Sequence, residues 1–262
     1  MSADDVTFLV RSPNRAAVLS ELAAEPQSRT ALREAVGASR VTVGRITTDL
    51  AERDWIAQTT EGYRATTAGK TVAAAYEQFV DTVETTRRLD PLIEYLPAEA
   101  FDFGLDALAD AELVVPVPAD PGRHFTRLAR AYQEATEASM MAHAVSPDVV
   151  ASAESAVLSG EHTIDGLVTP DVVDAIRADQ AVRERVAGML EHGGFTLAEC
   201  PSVPFQGGVF DESALISADD ERGIPKGLVV TQSPTVRGWF LDEFERRREA
   251  ATPLTVEAFD AD

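Results

Sequence analysis

From Phe101 onward, short apolar runs alternate with stretches of helical periodicity, and this alternation leaves the back of the chain few possible folds. Residues 112–117, 139–145, 163–168, 195–199, 208–217 and 227–231 have the length and apolar content of strands. Between and after them, residues 124–135, 147–158, 170–191 and 234–250 read as helices, and Gly193-Gly194 closes the third. Such alternation predicts an α/β sheet with helices on its faces. There is also an internal echo. Val145-Ser146-Pro147-Asp148-Val149-Val150 returns as Val168-Thr169-Pro170-Asp171-Val172-Val173, with Ser233-Pro234-Thr235-Val236 as a looser third copy. Each sets a hydroxyl cap and a proline at a helix start. Helix starts at the carboxyl ends of strands are where α/β sheets bind ligands. Repeated capping chemistry is the plainer account of the echo itself.

The front of the chain has a different pattern. Ser12-Pro13 opens a helix with Val18, Leu19 and Leu22 on its inner side. Ser28 caps a second, short helix with Leu32 and Val36, and Gly37 tolerates the left-handed turn that ends it. Ser39 caps a third, over residues 40–53, with Val43, Ile46 and Leu50 turned inward. Residues 55–59 and 63–66 then read as two short strands about Thr60-Glu61-Gly62. Helix, turn, helix and hairpin predict a winged helix-turn-helix. Residues 67–89 continue as a helix with Val72, Tyr76, Phe79, Val80 and Val83 on one stripe, ended by Asp90-Pro91.

Charge gives this division a meaning. The net charge is −21, and Lys70 and Lys226 are the only lysines. A carboxylate-rich surface with little lysine suits molar intracellular salt, as in haloarchaea. Residues 1–66 nevertheless hold eight arginines against nine acids, a net of −1, whereas residues 67–262 hold −20. A face that must lie on phosphates cannot be acidic. The third helix would then lie in the major groove and read bases with its first turns. Arg45 is the candidate base contact, to guanine; Arg40 and Thr42 would touch phosphates. Ser39, Val41, Gly44 and Thr48 complete that face, with Arg29 beside it and Arg64 on the wing reaching backbone or minor groove. A winged helix used for protein contacts is the alternative.

Ser39-Arg40-Val41-Thr42-Val43-Gly44-Arg45, continued through Leu50-Ala51-Glu52-Arg53-Asp54-Trp55-Ile56, resembles the recognition helix and first wing strand of the MarR, ArsR and related winged-helix regulators. Residues 112–117, the two Ser/Thr-Pro-Asp helix starts, and residues 223–231 leading into 236–247 with Trp239 resemble the C-terminal sensor domain of archaeal winged-helix regulators. That type is found in the methanogenesis and filament regulator and in haloarchaeal homologues. The resemblance implies an effector-responsive regulator and assigns no ligand.

The chain is therefore expected to be α/β, α+β overall. A winged helix-turn-helix would occupy residues 1–66, a linker and dimerisation helix 67–99, and an α/β effector-sensing domain 100–262. The expected partners are double-stranded DNA, a second copy of the chain through the linker helix, and a small-molecule effector. Packing on its own sensor domain is the other use of that helix. The single cysteine, Cys200, forms no internal disulfide and reads as packing. His124, His143, His162 and His192 form no close pair and no HExxH, so no metal or cofactor is expected. His143 and His162 are the candidate pocket residues, with a satisfied core histidine as the alternative for each. P-loop, GxGxxG after a strand, GxSxG and phospholipase-D-type HxK motifs are missing, so the chain is not read as an enzyme. With no long apolar run and an acidic start, it reads as a cytoplasmic protein away from membranes.

Overall fold

Apolar spacing sets the first five helices in a computed structural model, which describes residues 3–259. The chain forms two compact units, residues 1–83 and 84–262. The first begins with α1 (Ala3–Val10), a helix missed in the sequence, which buries Phe8 and Leu9. Phe8 meets Trp55 edge-on at 6.0 Å, and the guanidinium groups of Arg15 and Arg53 lie over its ring. In α2 (Pro13–Ala24) the buried residues are Ala16, Val18, Leu19 and Leu22. Ser28 caps α3 (Arg29–Val36), accepting from the Ala31 amide, and Gly37 ends it at φ +62°. Ser39 caps α4 (Arg40–Ala51) by accepting from the Thr42 amide. Val43, Ile46 and Leu50 point inward as their spacing requires, each no more than 2% exposed. Burying one such side chain contributes about 1.5–3 kcal/mol. Strands β1 (Ile56–Gln58) and β2 (Tyr63–Ala65) form the antiparallel hairpin, and α5 (Thr67–Leu89) follows.

The second unit is built on an eight-stranded mixed sheet. In chain order its elements are β3 (Glu112–Val114), α6 (Arg123–Glu134), β4 (Glu137–Ala142), α7 (Pro147–Leu158), β5 (Thr163–Val168), α8 (Pro170–Ala178), α9 (Gln180–His192), β6 (Phe195–Glu199), β7 (Gly207–Phe210), β8 (Ser213–Asp219), β9 (Pro225–Thr231), α10 (Pro234–Arg248) and β10 (Thr252–Pro253). Across the sheet the order is β10-β6-β5-β4-β7-β8-β9-β3. The centre, β4, β5 and β6, is parallel, as the intervening helices allow, and every other pairing is antiparallel. Helices α6 to α9 cover one face. Trp239, Phe240 and Phe244 of α10 fill the other, with Leu89, Leu92 and Leu108. The expected α/β class is the one observed. No helix among the described residues is long and apolar enough to cross a membrane.

Several sequence expectations are corrected. The strand expected over 208–217 is a hairpin, β7 and β8, turned by Asp211 at φ +46°. The Asp211 carboxylate accepts from the Thr136 and Glu137 amides, which holds that unusual conformation in place. The single helix over 170–191 breaks at Asp179, whose extended backbone ends α8 and whose carboxylate caps α9 at the Ala181 and Val182 amides. Ser12, Ser146, Thr169 and Ser233 make no side-chain cap; each precedes a proline whose fixed φ already sets the helix entry. The alternating directions of β7, β8 and β9 also put the start of α10 at the opposite end of the sheet from those of α7 and α8.

His124, in the first turn of α6, is 7% exposed, and among the described residues neither ring nitrogen has a hydrogen-bond partner. Burial pushes its pKa down, against a smaller upward pull from Asp120. Because the folded value lies below the unfolded 6.5, the unfolded chain takes the proton first as pH falls. Stability is therefore full above about pH 6.5 and is lost on acidification, by at most about 1.4 kcal/mol per pH unit. In urea titrations from pH 8 to pH 5.5, His124→Phe should lose less stability than the wild type. Parallel losses would show that this histidine does not resist protonation.

Candidate nucleic-acid interface

Residues 39–48 contain no acid, and α4 presents its small and cationic members to solvent. Arg40, Val41, Arg45 and Thr48 are exposed, Val41 by 82%. A Cβ built on Gly44 would meet nothing within 4 Å, so the helix surface is flat there. Thr42 Oγ1 lies 2.9 Å from Ser39 Oγ, so Ser39 serves both as cap and as anchor for its neighbour. The Thr48 hydroxyl donates back to the Gly44 carbonyl at 3.0 Å, leaving its lone pairs outward. Asp49, the first carboxylate along the helix, is half-buried and lies 3.5 Å from Arg15. The next, Glu52, is exposed beyond the end of α4.

Arg40, Arg45 and Arg64 are exposed, and among the described residues none has an ion pair or hydrogen bond. Among the described residues of the second unit, eight of thirteen arginines hold carboxylates, while Arg87, Arg123 and Arg222 are exposed without an ion pair. Free guanidinium groups in so acidic a chain are available for phosphate or base edges. Arg64 sits on β2 opposite Ala57. Arg29 behaves differently from the other candidates: its Nε donates to the Tyr63 hydroxyl at 3.0 Å, and its guanidinium lies 5.4 Å from the Tyr63 ring centre. It ties the start of α3 to the hairpin while remaining exposed. Gln27 strengthens this seam, exchanging two 2.9 Å backbone bonds with Tyr63. Arg33 was not a candidate. It is exposed on α3 one turn after Arg29 and also without an ion pair among the described residues, so i,i+4 spacing from Arg29 was its signal.

The two candidate pocket histidines are not brought together. His143 follows β4 and His162 precedes β5, and because those neighbours are parallel the two lie at opposite ends of the sheet. His162 donates from Nδ1 to the Ala135 carbonyl, a satisfied histidine. His143 Nε2 lies 3.1 Å from Asp219 Oδ2, in a polar cleft with Tyr95, Ser217 and Arg222. Burial raises the Asp219 pKa, opposed by the Ser217 hydroxyl and His143. Cys200 is buried, with a thiol pKa pushed up by burial, and contacts the Ser202 carbonyl.

Residues 3–88 match the family described as HVO_A0261 N-terminal domain. Among solved structures, TrmBL2, titled an archaeal chromatin protein with a novel mode of DNA binding, is 14% identical with a TM-score of 0.45, covering 97% of this chain and 100% of that one. Nuc from Salmonella typhimurium, a phospholipase D family member, is 14% identical with a TM-score of 0.43, covering 56% and 99%. NucT from Helicobacter pylori is 8% identical with a TM-score of 0.45, covering 55% and 99%. No curated protein matches the chain. Residues 118–250, more than half of the sequence, match the middle domain of the methanogenesis regulatory protein FilR1, and the chain belongs to that family.

Proposed function

We propose that this protein is a DNA-binding transcription regulator of the archaeal cytoplasm, working in high salt as a homodimer whose second unit senses a small molecule. The observation that carries the reading is the acid-free face of α4, where Arg40 and Arg45 stand exposed and unpaired in a chain of net charge −21. In this reading α4 enters the major groove. Arg45 meets a guanine edge, Val41 can meet a thymine methyl, and Arg40, Thr42, Ser39 and Thr48 hold phosphates. Gly44 lets the backbone approach closely, and Arg64 reaches the flanking backbone or minor groove. Arg29 holds the hairpin against α3 as well as facing the duplex. The family membership and the TrmBL2 title agree with DNA as the partner. No catalytic role is assigned. The test is selection of duplexes from a random pool in molar KCl. An enriched, two-fold motif is expected, and a pool that never enriches would overturn the reading.

Dimerisation is assigned to α5. Phe79 is 57% exposed, with Val80 and Val83 half-buried on the same side of the helix. An aromatic ring left in water on an amphipathic helix is a candidate seam. Sedimentation in molar KCl should give a dimer for the wild type and a monomer for Phe79→Arg. A wild-type monomer at micromolar concentration contradicts the assignment.

Salt adaptation rests on the −20 carried by residues 67–262. Raising KCl from 0.1 M to 1 M shortens the screening length from about 10 to about 3 Å and relieves the self-repulsion. Relief of about 3 kcal/mol would raise the melting temperature by about 10 °C. A melting temperature flat in KCl would remove the halophilic reading.

A further inference from the structure

The face of the sheet under α6, α7 and α9 is not filled by its own side chains. A cavity of about 100 Å³ lies there, walled by Leu128, Met140, Val149, Ile164, Val168 and Phe195. It reaches Ala144 and Ser146, at the carboxyl end of β4, where α/β sheets take ligands. No charged side chain lines it.

Three polar side chains interrupt this apolar lining: Ser146, Tyr132 and Gln206, whose Oε1 accepts from the Ala144 amide. Tyr132 lines the cavity and is 5% exposed, yet its hydroxyl has no hydrogen-bond partner among the described residues. His124 stands two turns earlier on the same side of α6. Its unpartnered ring lines a smaller void that shares Phe125, Leu128, Gln206 and Gly207 with the cavity. Buried polar groups are rarely left without a partner, because each costs free energy in the folded state. A Tyr132 hydroxyl without a partner on an apolar cavity, with the unpartnered His124 ring in the adjoining void, calls for a molecule that brings the missing partner.

We infer that this chamber is the ligand site of the second unit. Its ligand is a small uncharged molecule with an apolar body about the size of one aromatic ring, and a hydroxyl or carbonyl group that pairs with the Tyr132 hydroxyl. The volume sets the size: a dry apolar cavity of about 150 Å³ takes benzene, so this one, at about 100 Å³, takes a single ring only as the flexible Met140, Met141 and Met189 side chains on its walls give way. Nucleotides, sugar phosphates and carboxylates are excluded, since no cation lines the walls to offset their desolvation. The inference rests on reading the second unit as a sensor. It moves the site away from His143 and His162.

Met140, Met141 and Met189 line the cavity, so methyl-labelled methionine spectra of the full chain report its occupancy. Phenol and benzene at millimolar concentration should shift the Met140 and Met189 signals, and benzoate and glucose 6-phosphate should not. Tyr132→Phe keeps the ring and removes only the hydroxyl. It should weaken phenol about fivefold relative to benzene, and without ligand it should melt no lower than the wild type. Ala153→Leu fills the chamber and should abolish both shifts while the protein still melts cooperatively. The site is overturned if phenol moves neither methyl, if the charged probes bind as well, or if Tyr132→Phe treats phenol and benzene alike. Retention of the selected duplex is measured in parallel. Specific DNA binding without ligand binding sinks the site alone, and ligand binding without specific DNA binding sinks the regulator reading alone.

Discussion

Replacing Arg45 by alanine is expected to cost the protein about tenfold to a hundredfold in affinity for its operator, and little on a scrambled duplex. The asymmetry follows from where the side chain stands. Arg45 projects from the exposed side of α4, one turn beyond Val41, with no carboxylate to neutralise it. A guanidinium so placed can give two parallel hydrogen bonds to one guanine, and alanine leaves that base edge unpaired. Arg40, in the first turn, is assigned to phosphate, so Arg40→Ala should weaken all duplexes alike. Salt separates the two. Counterion release contributes little in molar KCl, so the Arg40 effect should shrink there while the Arg45 effect persists. Arg45→Glu places a carboxylate against the duplex and should abolish measurable binding. Competition titrations of operator against scrambled duplex, at low and at molar KCl, decide the matter. An equal loss on both sequences for Arg45→Ala would make it another phosphate contact and leave α4 without a reading residue.

Much of the first unit's local structure was legible before any coordinates because its determinants are local. Ser28 and Ser39 act as caps, Gly37 takes the left-handed turn, and Val43, Ile46 and Leu50 repeat at helical spacing. The hairpin was legible for the same reason, with Gly62 between two short apolar runs. What escaped notice depends on distant partners. Helix α1 has only two buried side chains, and they find their place against Trp55, Arg15 and Arg53. The turn at Asp211-Glu212 carries no glycine, and its left-handed residue is held by amides 74 and 75 positions away. The apolar period continues across Asp179, so periodicity alone could not show that α8 ends there.

The inferred ligand site shows the same limit more strongly. Sequence reasoning chose His143 and His162 for standing beside predicted strands, and strand direction then separated them. His124 had no such cue. Its significance lies in what it lacks, a hydrogen-bond partner, and that is decided by packing around α6, β8 and β9. A cavity is likewise a deficit of volume summed over several elements, which no window of residues displays.

Gly69→Ala sets local preference against packing, and packing should win by about 3 kcal/mol or more. Inside a helix alanine is favoured over glycine by about 1 kcal/mol, so propensity alone predicts a more stable protein. Gly69 lies in the first turn of α5, and a Cβ built on it would come 1.9 Å from the Trp55 carbonyl oxygen and 2.8 Å from its carbon. Both obstacles are backbone, so no rotamer can relieve the clash. The Thr66 hydroxyl donates to the Asp54 carbonyl at 2.6 Å and accepts from the Gly69 amide at 3.0 Å, while the Thr66 amide donates to the Trp55 carbonyl. Moving α5 away therefore breaks this junction and draws Trp55, only 6% exposed, out of the core it shares with Phe8. Overpacking against movable side chains costs about 1–3 kcal/mol, and rigid backbone should cost at least the upper end. Domains of this size are stable by only about 5 kcal/mol or a little more, so the first unit should be largely undone. The two tryptophans allow the loss to be located, since Trp55 belongs to the first unit and Trp239 to the second. In urea, fluorescence from a Trp239→Phe background should show the Trp55 transition at much lower denaturant once Gly69→Ala is added. A Trp55→Phe background should show the Trp239 transition unmoved. Operator binding should disappear with the first unit, because the same junction holds the end of α4. A Trp55 midpoint that stays put or rises by the propensity gain would show that the contact yields cheaply, and that α5 does not fix α4.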